Sequence, residues 1–174
     1  MARKIFTGVL LLAVCVMACV LTSCTLFNKG ARARVNFLIV SANYLQPRVL
    51  CELAQYYSKQ PVIIVQPGNG GEAARLFYMS NNRKAEEIAM ANYGEFVEFL
   101  NPRVVLFVGG EDCYTREVVE QARNKYRVMI INGADWEQNA QMLGEILEQP
   151  RLSRQFKDAM AKISEAGNLP APEK

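Results

Sequence analysis

The sequence predicts an α/β domain built on a mainly parallel sheet of four or five strands flanked by helices, and three observations predict it. Short apolar runs, uninterrupted except by Asn36 in the first, recur at Val35 to Val40, Val62 to Val65, Val104 to Val108 and Val128 to Ile131, as expected of strands buried on both faces. Segments with apolar residues at helical spacing separate these runs. Most runs end in polar or glycine-rich residues, which a short turn from strand to helix requires.

In chain order, Val35 to Val40 forms the first strand, broken in pattern only by Asn36. Leu50, Leu53, Ala54 and Tyr57 then share one face of a helix from Gln46 to Lys59. Beyond the strand Val62 to Val65, the stretch Leu76 to Met79 suits either an extra short strand or the start of a helix. Ile88, Phe96, Phe99 and Leu100 supply a less regular stripe for a helix from Arg83 to Leu100. The strand Val104 to Val108 leads to a helix marked by Val118, Val119, Ala122 and Tyr126. Val128 to Ile131 leads to another, marked by Trp136, Ala140, Leu143 and Leu147. A last helix, Leu152 to Ala166, turns Leu152, Phe156, Met160 and Ile163 inward. Alternation through four cycles implies right-handed crossovers and a Rossmann-like, three-layer arrangement.

The amino terminus carries a different pattern. Arg3 and Lys4 precede an apolar stretch from Ile5 to Val20, the order of a secretory leader, and the stretch is too short for a spanning helix, which needs roughly 20 residues. It ends in Leu21-Thr22-Ser23-Cys24, which resembles the lipobox of bacterial lipoproteins. That resemblance implies cleavage after Ser23 and a lipid on Cys24, held in a membrane by its acyl chains. The expected organisation is a signal peptide over 1–23, a tether over 24–34, one α/β domain over 35–166 and a flexible tail over 167–174. The expected location is the cell envelope, on the outer membrane facing the periplasm in a two-membrane bacterium.

Composition narrows the function. The chain has 20 basic and 17 acidic side chains, a net charge of +3, and two of those positive charges leave with the leader. The remaining balance argues against nucleic acid as a partner and gives no strong general case for an acidic membrane surface. Histidine is absent, which removes histidine-based triads and zinc–histidine sites. Neither a cofactor nor a metal is expected. Of the five cysteines, only Cys51 and Cys113 stay in the folded domain with free thiols, and they pair only if the strands beside them are neighbours.

Ligands of open α/β sheets sit beyond the carboxyl ends of the strands. Ser41 to Tyr44, Pro67 to Glu72, Gly109 to Tyr114 and Asn132 to Trp136 occupy that position. The candidate ligand-binding residues are Ser41, Asn43, Asn69, Gly109, Gly110, Glu111, Asp112 and Asp135. Glu111 and Asp112, with Glu72 and Asp135, would ring one mouth of the sheet with carboxylates suited to a cation, an amino group or sugar hydroxyls. Each has a structural alternative. Glycines shape turns, acids favour helix starts, and Asp135 with Gln138 has the form of a capping box. Trp136 can stack on a sugar or begin a buried stripe, and burial is the favoured role. Pro67 to Glu72 lacks the spacing of a nucleotide-binding loop.

Two further resemblances bear on function. Lys59-Gln60-Pro61-Val62-Ile63-Ile64-Val65, followed by Asn101-Pro102-Arg103-Val104-Val105-Leu106-Phe107-Val108-Gly109-Gly110-Glu111, resembles the repeat of the type 2 cell wall-binding proteins. It implies a non-enzymatic domain that attaches to envelope polymer. Asp135 to Glu145 resembles the closing helix of lipoprotein solute receptors for metals and siderophores, although those receptors use two lobes and this chain has room for one. The expectation is a membrane-anchored, non-catalytic domain that binds cell-wall polymer or another glycan. The alternatives are a solute-receptor-like lobe, a small envelope hydrolase using Glu111, Asp112 or Asp135, and a scaffold without a ligand. The sequence leaves the oligomeric state open.

Overall fold

The computed structural model describes residues 35–68, 73–79 and 85–167. Cys24 and the rest of the leader and tether, Asn69, Glu72 and the tail beyond 167 lie outside the described residues. The elements are β1 (Phe37–Ala42), α1 (Leu45–Ser58), β2 (Val62–Gln66), β3 (Arg75–Met79), β4 (Ala85–Ile88), a single 3₁₀ turn (Met90–Asn92), α2 (Tyr93–Leu100), β5 (Val104–Val108), α3 (Arg116–Arg123), β6 (Arg127–Ile131), α4 (Trp136–Ile146) and α5 (Leu152–Gly167). They form one six-stranded sheet in the order β4-β3-β2-β1-β5-β6. Pairing is parallel for β2-β1-β5-β6 and antiparallel for β2-β3-β4.

The sheet therefore exceeds the four or five strands expected, and the surplus comes from the β3–β4 hairpin. Leu76 to Met79 is strand. The expected helix from Arg83 begins only at Tyr93, because Ala85 to Ile88 pairs with β3, with Leu76 opposite Ile88 and Tyr78 opposite Glu86. Alanine and glutamate favour helix in isolation. Here cross-strand pairing overrides them: Arg75 donates from Nε and Nη2 to the two carboxylate oxygens of Glu87 at 2.8 and 2.6 Å. β1 also starts two residues later than expected, and α3 stops at Arg123, with Tyr126 packing on the core from the following turn.

Side chains alternate between two cores because successive strand residues point to opposite faces. Leu38, Val40, Ile63, Val65, Val105 and Phe107 pack under α2 and α3, which contribute Tyr93, Val97, Val118 and Ala122. Ile39, Val62, Ile64, Leu106 and Val108 pack on the other side under α1, α4 and α5, through Leu50, Cys51, Ala140, Leu143, Leu152 and Phe156. Each fully buried aliphatic side chain contributes about 1.5–3 kcal/mol of burial free energy. The chain leaves β1 toward β2 in one direction and reaches β5 and β6 in the other. Right-handed crossovers then require helices on opposite faces, and that is where α1 and α3 lie. The reversal falls between β1 and β5, so the crevice above their carboxyl ends is the place where a ligand can enter.

The helices end by local rules. Lys59 and Asn101 adopt left-handed conformations and return their N–H groups to Gln55 and Val97, stopping α1 and α2. Thr115 and Asp135 cap α3 and α4 by accepting from Val118 and Gln138. The two lateral edges of the sheet differ: β4 presents Glu86 and Glu87, whereas β6 presents an apolar run in which Ile130 is 45% exposed.

Candidate functional site: a cleft at the strand ends

The loop after β5 is built around Gly109. Its φ is +107°, and a Cβ there would lie 2.3 Å from Cys113 Sγ and 3.0 Å from Trp136 Cη2, so glycine is required on conformational and steric grounds. Its N–H donates to Ile131 O at 2.8 Å, and its carbonyl accepts from the Tyr114 hydroxyl at 2.9 Å. Cys113 N donates to Gly110 O at 3.0 Å and closes the turn. With Gly109, Cys113 and Tyr114 buried, Glu111 and Asp112 are held outward and exposed.

These acids lie on a cleft of about 790 Å³ lined by Pro67, Gly110, Tyr114, Thr115, Val119, Ile130 and Asn132, together with Arg116, Glu120 and Arg123. Val119 and Ile130 form an apolar floor, and the rim carries both signs of charge plus an amide. Arg116 Nε donates to Glu120 at 2.7 Å along α3. The side chains of Glu111 and Asn132 make no hydrogen bond among the described residues. Such a surface offers hydroxyl-rich or zwitterionic ligands both donors and acceptors over an apolar base.

Of the expected site residues, the structure brings Gly110, Glu111 and Asp112 to this cleft and places Gly109 directly behind them. Ser41 is fully buried, and its hydroxyl donates to Val108 O at 2.6 Å, making it a strut between β1 and β5. Asn43 is half-buried, donates its N–H to Val65 O at 2.8 Å, and faces a separate groove of about 740 Å³ between α1, α5 and the β3–β4 hairpin. Asp135 accepts from Gln138 N at 2.8 Å, while Gln138 Oε1 accepts from Ala134 N at 2.6 Å. It stands at the start of α4, on the opposite face from α3, and does not line the cleft. The carboxylate ring is thus reduced to Glu111 and Asp112 among the described residues. Trp136 is half-buried against both cores.

Several contributors had no local mark in the sequence. Val119 and Arg123, four residues apart on α3, reach the cleft only because that helix lies beside Ile130 and Asn132. Asn139 is buried and accepts from Gly133 N at 2.6 Å, fixing the loop after β6. Gln55, also buried, donates to Met79 O and ties α1 to the end of β3.

Cys51 and Cys113 are both free and buried. Their strands are neighbours, as a disulfide would need, but the thiols belong to cores on opposite faces of the sheet. Burial pushes the Cys51 thiol up to about 12. Burial and the Asp112 carboxylate push Cys113 up to about 11, so both are protonated at neutral pH and neither offers a thiolate nucleophile. Burial and the neighbouring acidic groups also push the Tyr114 phenol up to about 12. Among the described residues no group of three or more histidine, cysteine, aspartate or glutamate side chains is placed to hold a metal, and no helix is long and apolar enough to cross a membrane.

No family model, curated protein or solved structure matches the chain, so its site stands on its own residues.

Proposed function

We propose that this chain is an envelope lipoprotein: residues 1–23 are a signal peptide, Cys24 carries the lipid, and residues 24–34 tether a Rossmann-like domain at a membrane surface. The domain is a non-catalytic binder of cell-wall polymer or a related glycan, which it takes in the strand-end cleft. The observation that carries this reading is the position of Glu111, Asp112 and Asn132 on the rim of a cleft beside the reversal point of the sheet, over the apolar floor of Val119 and Ile130. Neutral thiols, two adjacent acids on one loop, and the engagement of the third carboxylate of the lining, Glu120, by Arg116 at 2.7 Å support binding over chemistry. General acid–base cleavage of a glycan needs two carboxyls facing each other across the substrate, roughly 5–9.5 Å apart.

The test is co-sedimentation of the detergent-solubilised full chain with purified cell-wall sacculi, beside a Glu111→Ala/Asp112→Ala variant. The parent pellets with the wall and the variant stays in solution. A folded parent that stays in the supernatant removes wall polymer as the ligand.

A further inference from the structure

We propose that the amino-terminal edge of the sheet is the surface that this domain lays on an anionic bilayer, an inference that rests on the lipid-anchor reading above. Three features of the fold meet at that edge.

The first is where the chain enters. Val35 leads into β1 at the amino edge and is pinned there: its N–H donates to Leu100 O at 3.4 Å and its carbonyl accepts from Arg103 N at 3.1 Å. Residues 25–34 separate it from Cys24. At about 3.5 Å per residue, that stretch reaches at most roughly 40 Å. A lipid on Cys24 therefore tethers the domain through this edge, within roughly 40 Å of the headgroups.

The second is charge. Helices antiparallel to their strands bring the ends of α1, α2 and α3 and the start of α5 to the same edge. Lys59, Arg103, Lys125, Arg127 and Arg151 are exposed there. Against them among the described residues stand Glu98, which Lys125 engages at 2.8 Å, Glu145 in the last turn of α4, Glu148, and Glu86 near the start of β4. The opposite edge carries Glu111, Asp112, Glu117, Asp135 and Glu137 with Arg48, Arg75 and Arg116. Helix dipoles favour such a division of sign.

Helix dipoles do not explain the third feature. Phe99, beside the entry point at the end of α2, is 59% exposed; Tyr56 and Tyr57, 51% and 37% exposed, lie near the end of α1 on the other face of the sheet, where they also line the groove under that helix. Tyr56 and Tyr57 pack edge to face at 4.9 Å, and Lys59 Nζ sits 4.7 Å over the Tyr56 ring. Aromatic side chains flanked by lysine and arginine match a headgroup layer, where rings enter the interface and cations meet lipid phosphates. In this orientation the strand-end cleft points away from the bilayer, toward whatever polymer lies beyond it.

The experiment uses the full chain, purified with its lipid and reconstituted into vesicles containing phosphatidylglycerol. One nitroxide is placed by Arg103→Cys or by Glu111→Cys. Cys51 and Cys113, buried and protonated, stay unlabelled. The label at 103 is expected to be shielded from a water-soluble relaxant and accessible to oxygen in the lipid, and the label at 111 to show the reverse. Each basic side chain near an anionic surface strengthens partition roughly fivefold. A Lys59→Glu/Arg127→Glu/Arg151→Glu variant, or neutral vesicles, should therefore release the edge by about two orders of magnitude. Equal aqueous exposure at 103 and 111 while mass spectrometry shows lipid on Cys24 overturns the edge inference and leaves the anchor standing. A mature chain without lipid on Cys24 overturns both, because the tether argument goes with the anchor.

Discussion

The loops after β5 and β6 look alike in sequence, each with glycine followed by an acid and an aromatic, yet they do opposite things. The β6 loop spends its polar groups on itself: Asp135 caps α4, Gln138 reaches back to Ala134, and buried Asn139 holds Gly133. The β5 loop holds its shape through Gly109, Cys113 and Tyr114 and leaves Glu111 and Asp112 facing the cleft. An acid near a helix start is therefore scaffold or site according to whether backbone amides or neighbouring side chains already satisfy the turn. Sequence spacing alone does not separate the two.

Substitutions can break that contrast, and their costs in stability fall in a definite order. Gly109→Ala should be the most damaging, at about 3–5 kcal/mol, because it adds both left-handed strain and a collision with Cys113. Urea unfolding measures it, and a loss below 1 kcal/mol would mean the loop relaxes freely and is no fixed platform. Asn139→Ala should cost about 2 kcal/mol by stranding the Gly133 N–H, with the midpoint of thermal unfolding as the check. If it proves neutral, the β6 loop is not held by its own polar groups.

Asp135→Ala removes a cap and should cost about 1 kcal/mol, while Asp135→Asn restores most of it and neither alters wall binding. A binding defect in either variant would move Asp135 from scaffold to site. The Glu111→Ala/Asp112→Ala pair should change stability by less than about 0.5 kcal/mol, as exposed side chains do, while abolishing sedimentation with sacculi. The ranking for binding is thus the reverse of the ranking for folding among the two loops' acids, and equal effects of both kinds at both loops would erase the distinction.

The four parallel strands were legible because Val62 to Val65 and its counterparts are nearly continuous apolar runs rich in β-branched residues, as strands buried on both faces are. The β3–β4 hairpin was not. Ala85-Glu86-Glu87 has helical preference, and what makes it a strand is Arg75, twelve residues upstream, together with the edge of β2–β3 to pair on. The positions of strand-end loops were also legible. Which of them converge was not, since that depends on strand order: placing β1 between β2 and β5 buries Ser41 against Val108 and sends Asp135 to the far face. Asn43 likewise follows a strand end but opens on a groove beyond α1 that only the hairpin creates.

The central seam has a consequence for how the domain assembles. β1 and β5 pair across a long stretch of chain, with Ser41 and Val108 separated by 67 residues, whereas β2-β3-β4 and β5-α3-β6 close over short distances. Distant pairings form slowly because a large loop must first be closed. We expect the two local halves to gain structure early and the β1–β5 ladder last, an order that pulsed hydrogen exchange would contradict if Leu38 and Val40 were protected first. The cleft lies beside that seam. Pro67 reaches it from the β2 side while the rest of its lining belongs to the β5-α3-β6 half, so closing the β1–β5 ladder completes the cleft and does not create it.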